Sequence, residues 1–326
     1  MFHNTRLAAA TLAALTLPCA AQSQDWPTRP VTMVIAFAPG GPLDTLGRNL
    51  QPFLSETLGQ NVIIENVPGG GGTVGSLRVS NASSDSHMFT LGSIGTHAIG
   101  QSMHKKPPYN AVTDFAPVIL VADAPQVVLA RKDLPADNLK EFAAYAKVNQ
   151  DKMQHGSGGA GTSSHIGCVL MNQVLGVKVT HIPYRGGGPA MQDLLAGRVD
   201  YICNYVSTAL PSHRAKTAKV IATLNKQRVP TLPEVPTGEE QGFKGLEISA
   251  WNAIFMPKNT PAPMVAKLNA AFNKALDNPA LKKRLEDIGL EVPTPERRTP
   301  EYLAKFTAEE IKRWEAPVKA SGVQFD

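Results

Sequence analysis

The feature that most constrains the fold of this 326-residue chain is a strand followed by a helix, a pattern that recurs with glycine at the turns. The apolar segment VTMVIAFAPGG runs directly into the amphipathic segment PLDTLGRNLQPFLSETLG. The same order recurs in NVIIENV before PGGGGTVGSLRVSNA, and in VKVTHIPY before RGGGPAMQDLLAG. Strands that alternate with helices predict open, mostly parallel sheets with helices on both faces. The expected fold class is therefore α/β.

The chain is too long for one ordinary core and suits two domains. After KVIATL a proline-rich connection, RVPTLPEVPTGEEQGF, precedes another apolar strand, LEISAWNAIFMP. We interpret this as a chain that crosses between two lobes twice, near residues 118–126 and 246–256. The predicted architecture is a two-lobe clamshell with a ligand cleft between the lobes. Lobe one comprises residues 22–123 and 247–326, and lobe two is the inserted segment 124–246.

The N-terminal segment has the pattern of a secretory signal peptide. Arg6 gives it a weakly basic start, the apolar run Leu7 to Leu17 follows, and small residues lie around Ala21. This run is shorter than the roughly 20 residues that a membrane-spanning helix needs, and no later segment reaches that length. We expect a signal peptide over residues 1–21, cleavage after Ala21, and a periplasmic mature chain that does not span the membrane.

Charge and histidine spacing argue against two classes of protein, those that bind nucleic acid and those that hold a metal. The net charge is +5, and the basic residues are scattered or interleaved with acids, so a nucleic-acid surface is not expected. The histidines show no metal-ligand spacing, and we expect neither a metal nor a cofactor. Cys168 and Cys203 are the thiols that remain beyond the signal peptide, and the sequence leaves open whether they form a disulfide or stay as two buried thiols.

The stretch HGSGGAGTSSHIG, residues 155–167, is the clearest candidate for a binding site. It consists mostly of Gly, Ser and Thr, and it runs into the apolar helical pattern CVLMNQVLG. A helix start carries unpaired N–H groups and a partial positive charge. Glycines that permit close approach and hydroxyls that donate hydrogen bonds would make such a helix start a cradle for an anion, either a carboxylate or a phosphate.

Three other chemistries fit the glycine runs less well. Both Gly70 to Gly75 and Gly156 to Gly161 match the dinucleotide pattern G-x-G-x-x-G, but no acidic residue ends the next strand to hold a ribose. A phosphate-binding loop of the Walker type would need Gly-Lys-Ser/Thr. A serine hydrolase would need the motif G-x-S-x-G, which is absent. The glycines at 69–72 are equally consistent with tight turns alone.

Several segments together resemble the extracytoplasmic solute-binding proteins of tripartite tricarboxylate transporters, also called the Bordetella uptake gene family. They are WPTRPVTMVIAFAPGGPLDTLGR, IENVPGGGGTVG, GSGGAGTSSH, HIPYRGGGPAMQDLLAGRVDY, PTLPEVPTGEEQGF and WNAIFMPKNTP. The resemblance covers nearly the whole mature chain. It implies a type II periplasmic binding protein fold, capture of a small carboxylate by backbone amides and hydroxyls, and delivery to membrane permease subunits.

The resemblance also implies a set of ligand-binding residues in both lobes. From lobe one these are Ala38, Pro39, Gly40, Gly41, Ser93, Gly95, Thr96 and His97. From lobe two they are Ser157, Gly161, Thr162, Ser163, His165, Tyr184, Gly186, Gly187 and Asn204. Asp44 is expected to cap its helix, because a carboxylate would repel a carboxylate ligand.

One departure from the family pattern concerns the ligand. Many members carry Asp after the strand that reads VDYIC here, where it would suit a ligand ammonium group, and this chain has Asn204. We therefore expect an acid without a positive charge, either an aliphatic or an aromatic dicarboxylate, and not an amino acid. The chain is expected to be a monomer and not an enzyme. A periplasmic sensor subunit and, less favoured, an enzyme on a similar scaffold are the alternatives.

Overall fold

The computed structural model describes residues 26–324, so the predicted signal peptide and its cleavage site lie outside the described residues. The strands are β1 (Val31–Ile35), β2 (Val62–Asn66), β3 (Met88–Ser93), β4 (Phe115–Arg131), β5 (Gln154–Ser157), β6 (Thr180–Pro183), β7 (Tyr201–Tyr205), β8 (Ala218–Thr223) and β9 (Ser249–Pro257). The helices are α1 (Pro42–Leu58), α2 (Thr73–Ser80), α3 (Gly100–Met103), α4 (Leu139–Asn149), α5 (Ser163–Leu175), α6 (Gly187–Leu195), α7 (Val206–Arg214), α8 (Ala262–Leu276), α9 (Pro279–Asp287) and α10 (Pro300–Ala320). Short 3-10 turns cover Gly70–Gly72 and Pro295–Arg298, and a π-helical turn covers Gly95–Ile99.

The strands form one hydrogen-bonded path in the order β2-β1-β3-β9-β4-β7-β5-β6, with β8 also paired to β4. β1 is parallel to β2 and β3, and β5 is parallel to β6 and β7. The antiparallel pairings all involve β4 or β9. β4 and β9 connect the two sets of parallel strands. They are antiparallel because the chain passes from one lobe to the other along β4 and returns along β9. The two-lobe α/β prediction is confirmed, with a mixed sheet.

The long strand β4 passes from one lobe to the other. It pairs with β9 from Phe115 to Pro125, and it pairs with β7 from Gln126 to Ala130. We use lobe one for β1, β2, β3, β9 and the first part of β4, and lobe two for β5 to β8 and the second part. The residue numbers that the sequence suggested for the lobe boundaries stay a prediction.

Helix α1 shows why the strand-to-helix pattern positions a loop. Its buried face carries leucines at helical spacing, Leu43, Leu46, Leu50, Leu54 and Leu58, and this stripe packs against the sheet. Pro42 occupies the first turn, where its missing N–H has no intrahelical role, and Gly59 ends the helix in a left-handed conformation. The short loop between β1 and Pro42 therefore lies at the carboxyl end of β1.

A disulfide in lobe two answers the question that the sequence left open about the cysteines. Cys168 of α5 is bonded to Cys203 of β7, with Cα atoms 5.4 Å apart. The bridge joins the helix that follows the Gly/Ser/Thr stretch to the strand that ends in Asn204 and Tyr205. Among the helices of residues 26–324, none has both the length and the apolar character that a membrane span requires.

Candidate functional site

A cavity lies between the two lobes, at the carboxyl ends of the parallel strands, where α/β sheets commonly bind ligands. It contains about 420 Å³ of empty space, part of which is open to solvent. Its lining residues carry no formal charge. They are Phe37, Gly41, Pro42, Leu43 and Ser93 from lobe one, and Gly158, Thr162, Ser163, Ser164, Gly187, Asn204 and Tyr205 from lobe two.

Four helices begin in the wall of this cavity. They are α1 after Gly41, α5 after Thr162, α6 after Gly186 and α7 after Tyr205. The first N–H groups of a helix lack intrahelical partners, and the aligned peptide dipoles place a partial positive charge there. An uncharged cavity surrounded by helix N-termini is therefore a favourable site for an anion.

Asn204 supplies a side-chain donor that has no partner in the described structure. Its residue is 3 % exposed, its Oδ1 accepts the backbone N–H of Tyr205 at 2.9 Å, and its Nδ2 is buried without a hydrogen bond. A buried amide donor without a partner costs free energy. A ligand oxygen in the cavity would provide the missing acceptor.

Ser163 and Tyr205 add hydroxyl groups beside Asn204. Their oxygens lie 3.3 Å apart, and both residues are buried in the cavity wall. Burial raises the pKa of Tyr205 to about 12, although the hydrogen bond with Ser163 opposes this shift. The Tyr205 hydroxyl therefore keeps its proton at neutral pH and can donate a hydrogen bond.

The loop of residues 157–162, which we call the cradle loop, is held by its own hydrogen bonds. Thr162 Oγ1 donates to the carbonyl of Gly159 at 2.7 Å and accepts the backbone N–H of His165 at 3.3 Å. The N–H of Gly158 donates to Ser164 Oγ at 2.9 Å. The hydroxyls that the sequence places here thus build the loop as well as line the cavity.

The lobe-one wall has a different character. Ser93 is its single side-chain hydroxyl among the lining residues, and Phe37, Pro42 and Leu43 present apolar surface. Ser93 Oγ accepts the N–H of Thr96 at 3.4 Å, so it has a partner within its own lobe. This wall presents mainly apolar surface and backbone N–H groups to the cavity, and few side-chain hydrogen-bond donors.

Asp44 is the acidic residue closest in sequence to this wall, and it is buried away from the cavity lining. Its carboxylate accepts the Gly40 N–H at 3.0 Å, Arg48 Nε at 2.8 Å and Asn66 Nδ2 at 3.1 Å. Burial raises the pKa of Asp44, but these hydrogen bonds outweigh burial, and the pKa lies below its usual value. The carboxylate is ionised and paired, and it anchors the loop in front of α1.

The two lobes touch through backbone at the rim of the cavity. The N–H of Ala38 donates to the carbonyl of Arg185 at 3.0 Å. A Cβ added to Gly41 would lie 3.2 Å from the Gly187 nitrogen, and one added to Gly71 would overlap the Ala160 carbonyl oxygen. The glycine runs 40–41, 69–72 and 186–188 therefore permit the close approach of the lobes, in addition to forming turns.

The residues implied by the family resemblance occupy four kinds of position. Six line the cavity: Gly41, Ser93, Thr162, Ser163, Gly187 and Asn204. Gly95, Thr96 and Gly161 line a second crevice on the other side of the cradle loop. Ala38, Pro39, Gly40 and Gly186 lie in the contact between the lobes, and Tyr184 lines a further crevice with Gly71 and Ala160. His97, Ser157 and His165 lie behind the cavity or cradle loop. Their role as ligand contacts stays a prediction.

His97 illustrates a position behind the wall. It is fully buried, its ring stacks on Phe255 with centroids 3.9 Å apart, and its Nδ1 lies 2.8 Å from Thr96 Oγ1. Burial lowers the pKa of His97 to about 3, so the ring is neutral. In this structure His97 supports Thr96 from behind and does not reach the cavity lining.

Sequence reasoning missed six lining residues: Phe37, Pro42, Leu43, Gly158, Ser164 and Tyr205. Most are neighbours of predicted residues, and the general rule that ligands contact strand ends and helix starts would have included them. Tyr205 is the last residue of β7 and the residue before α7, which is a sequence signal that could have found it.

Two observations bear on the enzyme alternative. Ser157 Oγ lies 2.7 Å from His181 Nε2, a contact between residues 24 positions apart. Ser157 is 1 % exposed, and its hydroxyl also accepts the Gly159 N–H at 3.1 Å, so it fastens the cradle loop and does not face the cavity. In residues 26–324 no group of three His, Cys, Asp or Glu side chains is arranged to hold a metal ion.

The chain is similar to known proteins in both sequence and fold. A family model described as tripartite tricarboxylate transporter family receptor matches residues 46–323. An Agrobacterium vitis protein of the UPF0065 group is 35 % identical over 320 residues, which are 98 % of this chain and 92 % of that protein.

Three solved structures are similar over almost the whole chain. MatC from Rhodopseudomonas palustris with bound malate is 42 % identical, with a TM-score of 0.87 over 90 % of this chain and 100 % of that one. The periplasmic binding protein BugD is 37 % identical, with a TM-score of 0.89 over 92 % of this chain and 99 % of that one. The R. palustris protein Rpa4515 with adipate is 31 % identical, with a TM-score of 0.87 over 91 % of this chain and 99 % of that one.

Proposed function

We propose that this chain, which belongs to the tripartite tricarboxylate transporter receptor family, captures a small dicarboxylate in the cavity between its lobes and delivers it to membrane permease subunits. The family consists of solute-binding receptors, and its known structures include periplasmic binding proteins. The proposal includes two finer points. The dicarboxylate is aliphatic or aromatic, and the partner is the permease of a tripartite tricarboxylate transporter.

The observation that carries the proposal is the buried Nδ2 of Asn204, which has no partner in the described structure and lies in the wall of a cavity with uncharged lining. One carboxylate would accept from Asn204 and from the hydroxyls beside it, and the helix N-termini would stabilise its charge. A ligand ammonium would find no carboxylate among the lining residues. We therefore infer that the ligand carries negative charge without a positive group.

The ligands of two similar structures support this substrate class. Malate is bound in MatC and adipate is bound in the R. palustris protein, and both molecules are dicarboxylates. This chain is 42 % and 31 % identical to those proteins, respectively. We propose the same class of ligand for this chain.

Closure of the cleft is the proposed binding step. A ligand would dock on lobe two, where most side-chain donors lie, and lobe one would then close over it by rotation at the strand crossovers. The backbone contacts between Ala38 and Arg185 and between Gly71 and Ala160 are made in this structure, and in the proposal they form when the lobes close. The closed form would be the one that the permease recognises. Export by a signal peptide and action as a monomer stay predictions.

A thermal-shift screen of the mature chain tests the proposal. The protein is unfolded and refolded to remove any carried ligand, and it is then measured with monocarboxylates, dicarboxylates, tricarboxylates, aromatic acids, amino acids and nucleotides. A ligand at about a thousand times its dissociation constant adds about 4 kcal/mol to the free energy of unfolding. We expect such a rise with dicarboxylates, including malate, and none with amino acids.

Two outcomes would contradict the proposal. A rise with amino acids and none with dicarboxylates would overturn the inferred ligand charge. No rise with any acid would overturn carboxylate capture and favour the enzyme or another ligand class. Co-purification with permease subunits of a tripartite transporter, in the presence of the ligand, would test the transporter partner separately.

A further inference from the structure

Three histidine rings are stacked behind the cradle loop and outside the cavity lining. The rings of His165 and His181 have centroids 3.8 Å apart and lie within 17° of parallel. His155 continues the stack, with its centroid 4.9 Å from that of His181. Because the rings lie face to face, their nitrogens point along the edges of the stack, where the cradle loop passes.

Two of these rings are bonded to the cradle loop, and one is not. The backbone N–H of Gly161 donates to His165 Nδ1 at 3.2 Å, and Ser157 Oγ lies 2.7 Å from His181 Nε2. His155 makes no such contact, and its Nδ1 is buried without a partner in the described structure. The stack therefore holds the loop near both of its ends.

The contact with Gly161 requires a particular form of His165. Since the Gly161 N–H is the donor, Nδ1 must be an acceptor, which means a neutral ring with its proton on Nε2. Burial, assisted by the neighbouring His181, lowers the pKa of His165 to about 3, so the ring is neutral near neutral pH. The acceptor is thus available whenever the protein is folded under those conditions.

The hydrogen bond to Gly161 can affect the cavity because Gly161 directly precedes two residues that line it. Gly161 has a φ of +84°, a conformation that glycine adopts readily, and it turns the chain into Thr162, the N-cap of α5. Thr162 and Ser163 follow immediately and line the cavity. A glycine-rich loop has many alternative conformations, so a bond that selects one of them reduces the entropy lost on binding.

We infer that His165 is a positioning residue for ligand binding: its neutral Nδ1 accepts the Gly161 N–H and holds the cradle loop in the conformation that binds the carboxylate. This inference rests on the proposed function, since it concerns the same cavity. His165 acts through the loop and does not touch the ligand.

A pair of substitutions separates the hydrogen bond from ring stacking. His165→Phe keeps an aromatic ring against His181 but removes the acceptor. His165→Asn removes the ring but places a carbonyl oxygen near the position of Nδ1. His155→Phe is the matched control, because it alters a ring of the same stack that has no bond to the loop.

The affinity of each variant is measured by titration calorimetry with the tightest-binding member of a panel of malonate, succinate, malate, glutarate, adipate and phthalate. We expect His165→Phe to weaken binding about tenfold, which corresponds to one lost hydrogen bond that leaves a buried N–H unpaired. His165→Asn is expected within about threefold of wild type, and so is His155→Phe. Melting temperatures measured without ligand identify any variant that fails to fold.

A second measurement does not depend on the ligand. Hydrogen exchange of the Gly161 amide, followed by NMR in the free protein, should be faster in His165→Phe and close to wild type in His165→Asn. Wild-type affinity in His165→Phe, or equal losses in His165→Phe and His165→Asn, would overturn the inference. If wild type binds none of the panel, the proposed function fails, and unchanged Gly161 exchange in His165→Phe would then reject the positioning role independently.

Discussion

The two walls of the cavity differ in what they offer a ligand. The lobe-two wall has five residues with hydrogen-bonding side chains: Thr162, Ser163, Ser164, Asn204 and Tyr205. The lobe-one wall has Ser93 alone, beside apolar surface from Phe37, Pro42 and Leu43. Under the proposed function, lobe two would recognise the anion, and lobe one would cover it and exclude water. Exclusion of water strengthens every hydrogen bond to the charge.

The largest effect is expected at Asn204, the residue of lobe two that we propose recognises the ligand. Asn204→Asp has nearly the same shape and retains an acceptor for the Tyr205 N–H, but it replaces a donor with a negative charge in the cavity. Repulsion of a carboxylate should weaken dicarboxylate binding by about a hundredfold or more. Calorimetry of both proteins with a dicarboxylate and with aspartate measures the change.

The same variant also tests the inferred ligand charge. A gain in affinity for aspartate would support the role of this position in selecting against ligand ammonium groups. Equal dicarboxylate affinity in both proteins would break the comparison between the walls, because Asn204 would then have no part in recognition.

A substitution at the rim of lobe one should act through closure and not through recognition. Gly71→Ala would bring a methyl group against the Ala160 carbonyl and keep the lobes apart. Since apparent affinity falls with the population of the competent closed form, we expect a loss between about tenfold and a hundredfold. Small-angle scattering should show a larger radius of gyration with ligand than wild type shows.

Gly59→Ala is the matched control for this variant. Gly59 has a φ of +66°, close to the +62° of Gly71, so both substitutions impose similar backbone strain. A Cβ at Gly59 would meet nothing within 4 Å. If both variants lose the same affinity, backbone strain and not lobe contact accounts for the loss.

Lobe two should be more sensitive to acid than lobe one, because it has three buried or half-buried histidines with strongly lowered pKa values, whereas in the described part of lobe one His97 is the histidine whose pKa falls to about 3. Burial lowers the pKa of His155 and His165 to about 3 and of His181 to about 4, and the neighbouring rings contribute to the shifts of His155 and His165. In the unfolded chain a histidine titrates near 6.5, so as pH falls below 6.5 the unfolded state gains protons that the folded state does not bind. Stability is therefore lost from about pH 6.5 downwards, towards the folded pKa values.

We expect a loss of about 1 to 2 kcal/mol between pH 7 and pH 5 for each of His155 and His165, and less for the more exposed His181. The rings face one another and Tyr201, whose ring lies 5.5 Å from that of His155. Urea unfolding followed by circular dichroism at several pH values measures the loss, and His155→Phe should reduce it. Equal stability of wild type at pH 7 and pH 5 would contradict the neutral, buried stack.

The smallest expected effects come from removing one hydroxyl from each wall. Ser163→Ala should weaken binding about tenfold, since Ser163 lies beside Asn204 and Tyr205. Ser93→Ala should cost about threefold or less, because its hydroxyl accepts the Thr96 N–H within its own lobe. Calorimetry of both variants gives the ratio directly, and a larger loss for Ser93→Ala would reverse the assignment of roles.

The sequence predicted the parts of the site that depend on local rules. Glycine turns and Gly/Ser/Thr helix starts are local signals, so the residue pattern alone locates the cradle loop and the loop in front of α1. The two-lobe fold followed from the repeated strand-helix pattern and from the family resemblance. The close backbone contact at Gly71 was left undecided, because a glycine run shows the absence of side chains but not what approaches it.

The parts that sequence reasoning missed depend on residues distant in the chain. Ser157 meets His181 across 24 positions, and Ser163 meets Tyr205 across 42. The pairing of Cys168 with Cys203 likewise depends on how α5 packs against β7. No local rule predicts such contacts, since they arise from strand order and helix packing. The histidine stack was missed for the same reason.

The most direct test of the account is calorimetry of the refolded, ligand-free chain with its tightest-binding dicarboxylate and with the diamide of that acid, an uncharged analogue of the same length. Recognition of an anion by helix N-termini, Asn204 and the lobe-two hydroxyls predicts measurable binding of the dicarboxylate and at least about a hundredfold weaker binding of the diamide. Equal affinities for the two compounds would contradict recognition of charge in this cavity.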